Sequence, residues 1–280
     1  MKLIVKYDAD LLEYLYDNLD APRKKIKSYL THKCIYINNN IVTKYNYRVI
    51  KGMSIIINTN GRGTLPFDIL FEDDDIIVVN KPSGLLSIAT RKEKDKTLYH
   101  LVSEYLKSKN KRARVYIVHR LDKDTSGIVI LAKNEKIKKQ LQDNWNEYVS
   151  LREYTAVVHG NLDKKKGRIV QNLAETKTNL VYVTKGDNGK KAITDYEVLK
   201  ENNNYSLLKI NIITGRKNQI RVALSFINSP IVGDSKYGIK DSFNRLYLHA
   251  NRLKIYYPII GKDILFEVGI PNEFKKIMKG

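Results

Sequence analysis

One charged loop contains the side chains best suited to chemistry. Residues 119–127 hold an arginine, two aspartates and the pair Ser126-Gly127. An apolar run, Val115 to Val118, precedes the loop, and another, Ile128 to Leu131, follows it directly. A short loop held between two buried strands is a rigid support for reactive groups, and a Ser-Gly pair allows tight backbone geometry that bulky residues would resist. The pattern therefore predicts a functional site at this loop.

The residue types in this loop favour catalysis by a single carboxylate. The chain has no glycine-rich phosphate loop, no His/Cys spacing typical of zinc sites and no second carboxylate in a glycosidase-like context. His119 could act as a general base, but we interpret it as a structural hydrogen-bonding residue. Asp122, close to the end of an apolar strand, is the candidate nucleophile.

The letters HRLDKDTSG of residues 119–127 resemble the signature of the RluA-type RNA pseudouridine synthases. Further segments that resemble this family follow in the family's order: NKPSGL at 80–85, REY at 152–154, TGRKNQIR at 214–221, PIVGD at 230–234 and LYLHA at 246–250. They span nearly the whole chain. A chance match would not produce five such segments in this order.

The resemblance implies conversion of uridine to pseudouridine without a cofactor or a metal ion. Asp122 would attack either the anomeric carbon of the ribose or the hydrogen on the neighbouring carbon, and the freed uracil would rotate and rejoin through C5. Arg221 resembles the arginine that pairs with the catalytic aspartate, and an ordinary ion pair is the alternative. Tyr154 resembles the tyrosine that stacks on the target base, and ordinary strand packing is the alternative.

The resemblance also implies which residues contact the RNA substrate. Arg120 matches the position that helps to turn the nucleotide out of the stack, with a phosphate contact or a salt bridge to Asp124 as alternatives. The complete set of implied substrate-binding residues is Arg120, Leu121, Thr125, Ile220 and Leu248. Lys81 and Gly84 are interpreted as shaping the fold beneath the site.

One segment departs from the family pattern. The family usually has Thr-His where Lys217-Asn218 stands, and often a histidine where Ala223 stands. Arg221 is retained, so the departure puts the choice of RNA in question and leaves the catalytic pairing intact.

The elements that must position these residues form a sheet with helices packed on it. Strand-like runs after residue 67 include Ile76 to Val79, Gly127 to Ala132, Tyr154 to Val158, Ala192 to Leu199 and Tyr205 to Ile213. Helical patterns cover Thr97 to Lys107 and Glu135 to Trp145. Because the strands alternate apolar and polar residues, we predict an α+β class with a largely antiparallel mixed sheet, and the resemblance implies the pseudouridine synthase fold.

A small α/β domain is predicted at residues 1–60, followed by a linker at 61–66 and a catalytic domain at 67–280. Leucines recur at helical spacing from Leu11, and a second helix is predicted from Arg23 to Thr31. Short strand-like runs complete this domain: Cys34 to Ile37, Ile41-Val42, Val49-Ile50 and Ser54 to Ile57. The segment resembles the alpha-L (S-four-type) RNA-binding motif. The implied RNA-binding residues are Arg23, Lys24, Lys25 and Lys27, and a solvated helix face is the alternative.

Composition supports a nucleic-acid partner. The 50 basic residues exceed the 30 acidic ones, so the formal net charge is +20. A nucleotide-composition bias towards lysine would raise glutamate as well, and therefore the surplus of positive charge favours RNA binding. Ribosomal RNA is the favoured partner and transfer RNA the alternative. An apolar fraction of 42% excludes wholesale disorder.

The remaining features predict a soluble, cytoplasmic protein that is monomeric by default. The N-terminus does not resemble a signal peptide, and no apolar run is long enough to span a membrane. Cys34 is the one cysteine, so an internal disulfide is excluded, and we expect it to be buried.

Three other functions compete with pseudouridine formation. The chain could be an RNA-binding protein of the same fold that has lost catalysis. It could be a nuclease or hydrolase that uses Asp122 and Asp124 to hold a divalent metal ion. It could also be a nucleoside glycosidase, which would release free uracil.

Overall fold

The computed structural model describes residues 2–31, 34–37, 40–57, 65–90, 93–186 and 188–279. They form two compact units: Met1–Pro66 with Glu104–Arg112, and Phe67–Ser103 with Ala113–Gly280. Most of the predicted linker, residues 61–64, lies outside the described residues. Within the described ranges, no helix has both the length and the apolar character needed to cross a membrane.

Among the described residues, the N-terminal part of the chain contains two helices and two small sheets. Their bounds are β1 Lys2–Ile4, β2 Ala9–Asp10, α1 Leu11–Asn18, α2 Arg23–Thr31, β3 Ile35–Ile37, β4 Asn40–Ile41, β5 Arg48–Val49 and β6 Ser54–Ile57. One sheet has the order β1-β6-β3-β4, and β2 pairs with β5. The apolar faces of α1 and α2, including Leu15 and Ile26, are buried against strand residues such as Ile35. The helix predicted at Arg23 to Thr31 is confirmed, and Cys34 is buried as predicted.

The rest of the chain alternates strands with five helices among the described residues. The bounds are β7 Ile69–Glu72, β8 Ile76–Lys81, α3 Leu98–Lys109, β9 Tyr116–Ile117, β10 Ser126–Ala132, α4 Glu135–Asp143, α5 Trp145–Tyr148, β11 Val149–His159, β12 Lys166–Glu175, β13 Val181–Thr184, β14 Lys190–Glu201, β15 Tyr205–Ile212, α6 Gln219–Phe226, β16 Leu248–Tyr257, β17 Lys262–Glu267 and α7 Asn272–Ile277.

The strands from β7 to β17 form one eleven-stranded sheet. Its order is β13-β12-β14-β15-β11-β16-β10-β8-β7, with β17 paired to β16 and β9 paired to β10. Neighbouring strands are antiparallel except for β10 and β16, which are parallel where Ser126 and Gly127 face His249 and Ala250. The predicted α+β class and largely antiparallel mixed sheet are confirmed. The parallel pair places the end of the charged loop beside the start of β16.

Two predicted elements differ from the observed ones. The helix predicted from Glu135 to Trp145 is divided at Asn144, whose backbone (φ −106°, ψ 19°) is not helical, so that α4 ends and α5 begins there. The late motif around Arg221, for which no helix was predicted, forms α6. The Asn144 side chain donates to the Gln140 carbonyl at 2.9 Å, which ends α4. Packing stabilises α6, because six of its eight residues, Gln219 to Leu224, are buried.

Candidate active site

One pocket of about 850 Å³ lies in the unit formed by residues 67–103 and 113–280. It brings together all eight residues predicted for catalysis and substrate binding in that unit: Arg120, Leu121, Asp122, Thr125, Tyr154, Ile220, Arg221 and Leu248. They come from four parts of the fold, namely the loop between β9 and β10, strand β11, helix α6 and the start of β16. The loop between β9 and β10, residues 118–125, is called the Asp122 loop below.

The buried lysine at the end of β8 ties the Asp122 loop to the turn before α3. Lys81 is fully buried, and its Nζ donates to the carbonyls of Pro82 (2.9 Å), Leu85 (2.7 Å) and Lys123 (2.9 Å). Burial lowers the pKa of Lys81 to about 7, although Asp124 and Asp122 oppose the shift. The structural role predicted for Lys81 is therefore confirmed.

Two serines in the same turn fix the loop backbone on either side of Asp122. The Ser83 hydroxyl donates to the carbonyl of Asp124 at 2.6 Å. The Ser87 hydroxyl donates to the carbonyl of Leu121 at 2.6 Å and accepts from the Leu121 N–H at 3.2 Å. Neither serine is among the residues predicted for the site, although Ser83 lies inside the NKPSGL segment. They hold the backbone from which the Asp122 side chain projects.

Gly127 permits the close approach of β10 to β16. Its φ is +119°, and a Cβ at this position would lie 2.2 Å from the carbonyl oxygen of Ala250. Any other residue at this position would have an unfavourable backbone conformation, and its Cβ would clash with Ala250. The tight geometry predicted for Ser126-Gly127 is confirmed.

Asp122 is a partly desolvated carboxylate among cations. Burial raises its pKa above the ordinary value, and the positive charges of Arg221, Arg120, Lys81 and Lys217 pull it back down without cancelling the rise. The carboxylate thus loses part of its hydration while remaining next to positive charge, a combination typical of reactive carboxylates.

Arg221 makes its hydrogen bonds to a carboxylate other than Asp122. Its Nε and Nη2 donate to the two oxygens of Asp234 at 2.8 and 2.6 Å, and its Nη1 donates to Asn218 Oδ1 at 3.3 Å. Burial alone would raise the pKa of Asp234, but the guanidinium and the backbone N–H groups of Tyr237 and Lys236 together outweigh burial and hold that pKa below the ordinary value. Arg221 therefore acts on Asp122 through its charge, while Asp234, to which we had assigned no role, holds the guanidinium in place.

Tyr154 lines the pocket from strand β11. Burial raises the pKa of its phenol to about 12; the charge of Arg152 lowers it and that of Asp122 raises it further. The phenol therefore keeps its proton at neutral pH.

His119 accepts a hydrogen bond from the backbone of β10. The N–H of Ile130 donates to His119 Nε2 at 3.0 Å, and the imidazole packs against the Trp145 ring with 4.6 Å between centroids. Burial, with help from Arg152, lowers the pKa of His119 to about 3, so the ring is neutral. The structural role predicted for His119 is confirmed.

The segment that departs from the family pattern borders the pocket. Asn218 has a φ of 53°, a left-handed conformation that asparagine tolerates, and its Nδ2 donates to the Tyr237 hydroxyl at 3.0 Å. Lys217 is bonded to Glu175 and, at 3.1 Å, to Asn179. Glu175 and Asn179 lie at the β12–β13 turn and also line the pocket, so Lys217 is bonded to this part of the pocket wall.

The predicted RNA-binding cations lie on the solvent side of α2. Arg23, Lys24, Lys25 and Lys27 are all exposed, whereas Ile26 and Leu30 of the same helix are buried. The Arg23 guanidinium also lies 5.0 Å above the Tyr16 ring. The four cations thus form one accessible basic face, called the α2 basic face below.

Comparison with known proteins identifies a family. Residues 75–226 match the family model described as RNA pseudouridylate synthase. An uncharacterized RNA pseudouridine synthase of Mycoplasma pneumoniae is 32% identical, over 93% of this chain and 89% of the relative. Ribosomal large subunit pseudouridine synthase D of Yersinia pestis is 30% identical, over 92% of this chain and 86% of the relative.

Solved structures share the fold. Human RNA pseudouridylate synthase domain containing 4 superimposes with a TM-score of 0.61 and 24% identity, over 74% of this chain and 90% of the human chain. Human RNA pseudouridylate synthase domain containing 1 gives a TM-score of 0.60 at 24% identity, over 73% of this chain and 84% of the human chain.

Proposed function

Because the chain belongs to the RluA-type family of RNA pseudouridine synthases, which are isomerases, we propose that it modifies uridines of large-subunit ribosomal RNA with Asp122 as the catalytic carboxylate. One observation carries the assignment of the site. Asp122 lies in a pocket of about 850 Å³, partly desolvated, with Tyr154 beside it and the charge of Arg221 acting on it.

Each residue of the proposed site has a distinct part in the reaction. Asp122 attacks the ribose, at C1′ or at the hydrogen of C2′, once the nucleotide has been turned out of the RNA stack. Arg221, held by Asp234, places a fixed positive charge near the carboxylate and favours its ionised form. Tyr154 stacks on the uracil, and Arg120 enters the space that the nucleotide leaves.

The remaining substrate contacts of the proposal come from the pocket wall. Leu121, Thr125, Ile220 and Leu248 are all buried or nearly so and line the pocket around Asp122. Apolar contacts of this kind hold the flat face of a base and exclude water from the reacting carbon.

Two observations support ribosomal RNA as the substrate. Relatives at 28–30% identity include several named ribosomal large subunit pseudouridine synthase D. The α2 basic face, within the proposed RNA-binding domain at residues 1–60, offers a second attachment point for a large RNA. Transfer RNA is the alternative substrate, and the mapping below separates the two.

The function is tested by mapping pseudouridines in RNA from cells with and without the gene. Carbodiimide labelling is the readout, because isomerisation leaves the mass unchanged. Wild type restores specific sites, whereas Asp122→Asn, which keeps the size of the side chain, restores none and still binds RNA. Asp124→Asn is the matched control and retains the sites.

Three outcomes would overturn the proposal. Absence of label in any RNA would leave a catalytically inactive RNA-binding protein. Release of free uracil would indicate a glycosidase. Loss of activity with Asp124→Asn and with a chelator would indicate a metal-dependent reaction.

A further inference from the structure

Five cationic side chains line the pocket: Arg120, Arg152, Arg216, Lys217 and Arg221. Two of them are paired with carboxylates, since Arg221 is bonded to Asp234 and Lys217 to Glu175. Arg120 and Arg216 are exposed and keep much of their hydration. Arg152 differs from the other four.

Arg152 is a partly buried guanidinium with no acidic partner. Its Nη2 donates to the carbonyl of Ile213, and no carboxylate among the described residues lies within salt-bridge distance of it. Burial lowers its pKa. A guanidinium that loses hydration without a counter-charge is costly for the fold, and such a group usually serves a ligand that brings the missing negative charge.

The fold makes room for this guanidinium at the pocket. A Cβ on Gly215 would lie 2.9 Å from Arg152 Nη1, so the guanidinium lies directly against this glycine. Arg152 and Tyr154 both line the pocket, whereas the intervening Glu153 is buried and bonded to Asn251 (3.0 Å). Strand β11 therefore presents the arginine and the tyrosine to the substrate together.

The charges of both Arg152 and Asp122 act on the pKa of Tyr154. The cations that act on Asp122 are Arg221, Arg120, Lys81 and Lys217. Arg152 instead acts on Tyr154 and His119. Arg152 and Tyr154 lie two residues apart on β11 and both line the pocket. If Tyr154 meets the base, as in the proposed function, Arg152 therefore lies on the side of the base.

We propose that Arg152 is a catalytic residue that donates hydrogen bonds to a carbonyl oxygen of uracil and stabilises the negative charge that the base acquires when it leaves the ribose. The inference rests on the proposed function and assigns a substrate contact within the same pocket.

The electron balance of the reaction requires such a group. When the C1′–N1 bond breaks, its electron pair stays on uracil and is shared by N1, O2 and O4. The base then turns, C5 bonds to C1′, and the proton on C5 is lost while N1 gains one. These steps are common to attack at C1′ and to removal of the C2′ hydrogen, and Arg152 keeps its own proton throughout. A fixed guanidinium aimed at the developing charge is a large source of catalysis.

The symmetry of uracil lets one fixed donor serve before and after the rotation. A half-turn about the axis through N3 and C6 exchanges N1 with C5, and it also exchanges O2 with O4. The guanidinium therefore meets a carbonyl oxygen at the same place in uridine and in pseudouridine. It need not move during the reaction.

The test uses a synthetic RNA stem-loop that carries a uridine mapped as above. Arg152→Met is expected to lower kcat by about 10²-fold, the usual cost of one oxyanion donor, and to leave the Kd for RNA unchanged. Arg152→Lys keeps the charge and recovers part of the rate. Arg216→Met is the matched control, because Arg216 lines the same pocket but is exposed and bonded to the Lys191 carbonyl at 3.1 Å.

Thiouridine substrates identify the contacted atoms. Sulfur at position 2 or position 4 of the target base is a weak acceptor, so each substitution slows wild type and Arg216→Met. In Arg152→Met, each thio substitution should slow the reaction less than it does in wild type. The guanidinium that would donate to the replaced oxygen is already absent. The product is measured by nucleoside chromatography of the digested RNA.

The inference falls if both thio penalties are as large in Arg152→Met as in wild type. It also falls if Arg152→Met weakens RNA binding while kcat is unchanged, which would assign the arginine to a phosphate. Failure of the proposed function looks different, because wild type would then form no pseudouridine in any RNA.

Discussion

At the scale of single residues, the site depends on the competition between burial and charge at Asp122. Burial raises the pKa of its carboxyl, and four cations oppose the rise. Both proposed routes need the ionised form, so the reaction rate must increase as the pH rises through this pKa.

The pH dependence of kcat tests this balance. In wild type, the acid limb is expected above the pH at which an ordinary aspartate titrates, about 4. Lys217→Met removes one of the cations that lower the pKa of Asp122, so the acid limb moves to higher pH. Single-turnover rates measured between pH 4 and 8 give both curves.

Lys166→Met is the control for the loss of one positive charge from the protein. Lys166 is exposed and paired with Glu197 at 2.7 Å, and its charge is not among those that act on Asp122. Its acid limb should coincide with that of wild type. If Lys217→Met left the acid limb at the same pH as in wild type, a group other than Asp122 would govern the pH dependence of kcat.

At the scale of elements, the turn between β8 and α3 supports the Asp122 loop. Lys81, Ser83 and Ser87 donate hydrogen bonds to the carbonyls of Lys123, Asp124 and Leu121, which lie on either side of Asp122. These bonds join residues 34 to 42 positions apart in sequence, so the loop geometry depends on the correct packing of two separate segments.

Ser87→Ala tests the support of the loop. The change leaves the N–H and the carbonyl of buried Leu121 without their partner, which is expected to cost about 1–3 kcal/mol of the free energy of unfolding. A displaced Asp122 should also lower kcat by about 10-fold or more while the Kd for RNA stays unchanged. Urea denaturation and single-turnover kinetics measure the two effects.

Ser108→Ala is the matched control, since Ser108 is exposed and its hydroxyl donates to the carbonyl of Tyr105 in the same helix. It should change neither stability nor rate. Loss of stability in Ser87→Ala with an unchanged kcat would contradict a role of the turn in positioning Asp122.

At the scale of the whole molecule, the net charge of +20 is distributed over both units, and the α2 basic face is one concentrated part of it. Binding that depends on phosphate contacts weakens steeply with salt, because each contact releases a counterion. The α2 basic face should therefore contribute to affinity and leave the chemical step unaffected.

Replacing Arg23, Lys24, Lys25 and Lys27 together by glutamine is expected to weaken binding to large-subunit ribosomal RNA. The slope of log K against log salt should decrease by about 2–4, and kcat at saturating RNA should persist. Filter binding at several salt concentrations gives the slope.

The control replaces Lys2, Lys6, Lys44 and Lys51, four exposed cations in the same unit, and has the same net charge. Its slope should remain close to that of wild type. Equal slopes for the two quadruple variants would assign the binding to net charge rather than to the α2 basic face.

The sequence by itself determined the fold class, the family resemblance and eight of the residues that line the pocket. Period-two alternation and ordered short motifs are local properties, so they are readable without coordinates. The structural role of His119 and the close approach at Gly127 were also predicted correctly, since both depend on residue type and local context.

Only the tertiary structure decided which groups meet. Arg221 bonds Asp234 rather than Asp122, Ser87 holds Leu121, and Arg152 has no carboxylate within reach among the described residues. The first two are contacts between segments that are distant in sequence, and the third is the lack of such a contact. Such contacts follow from the register of the eleven-stranded sheet and the packing of α6, which no local pattern of residues specifies.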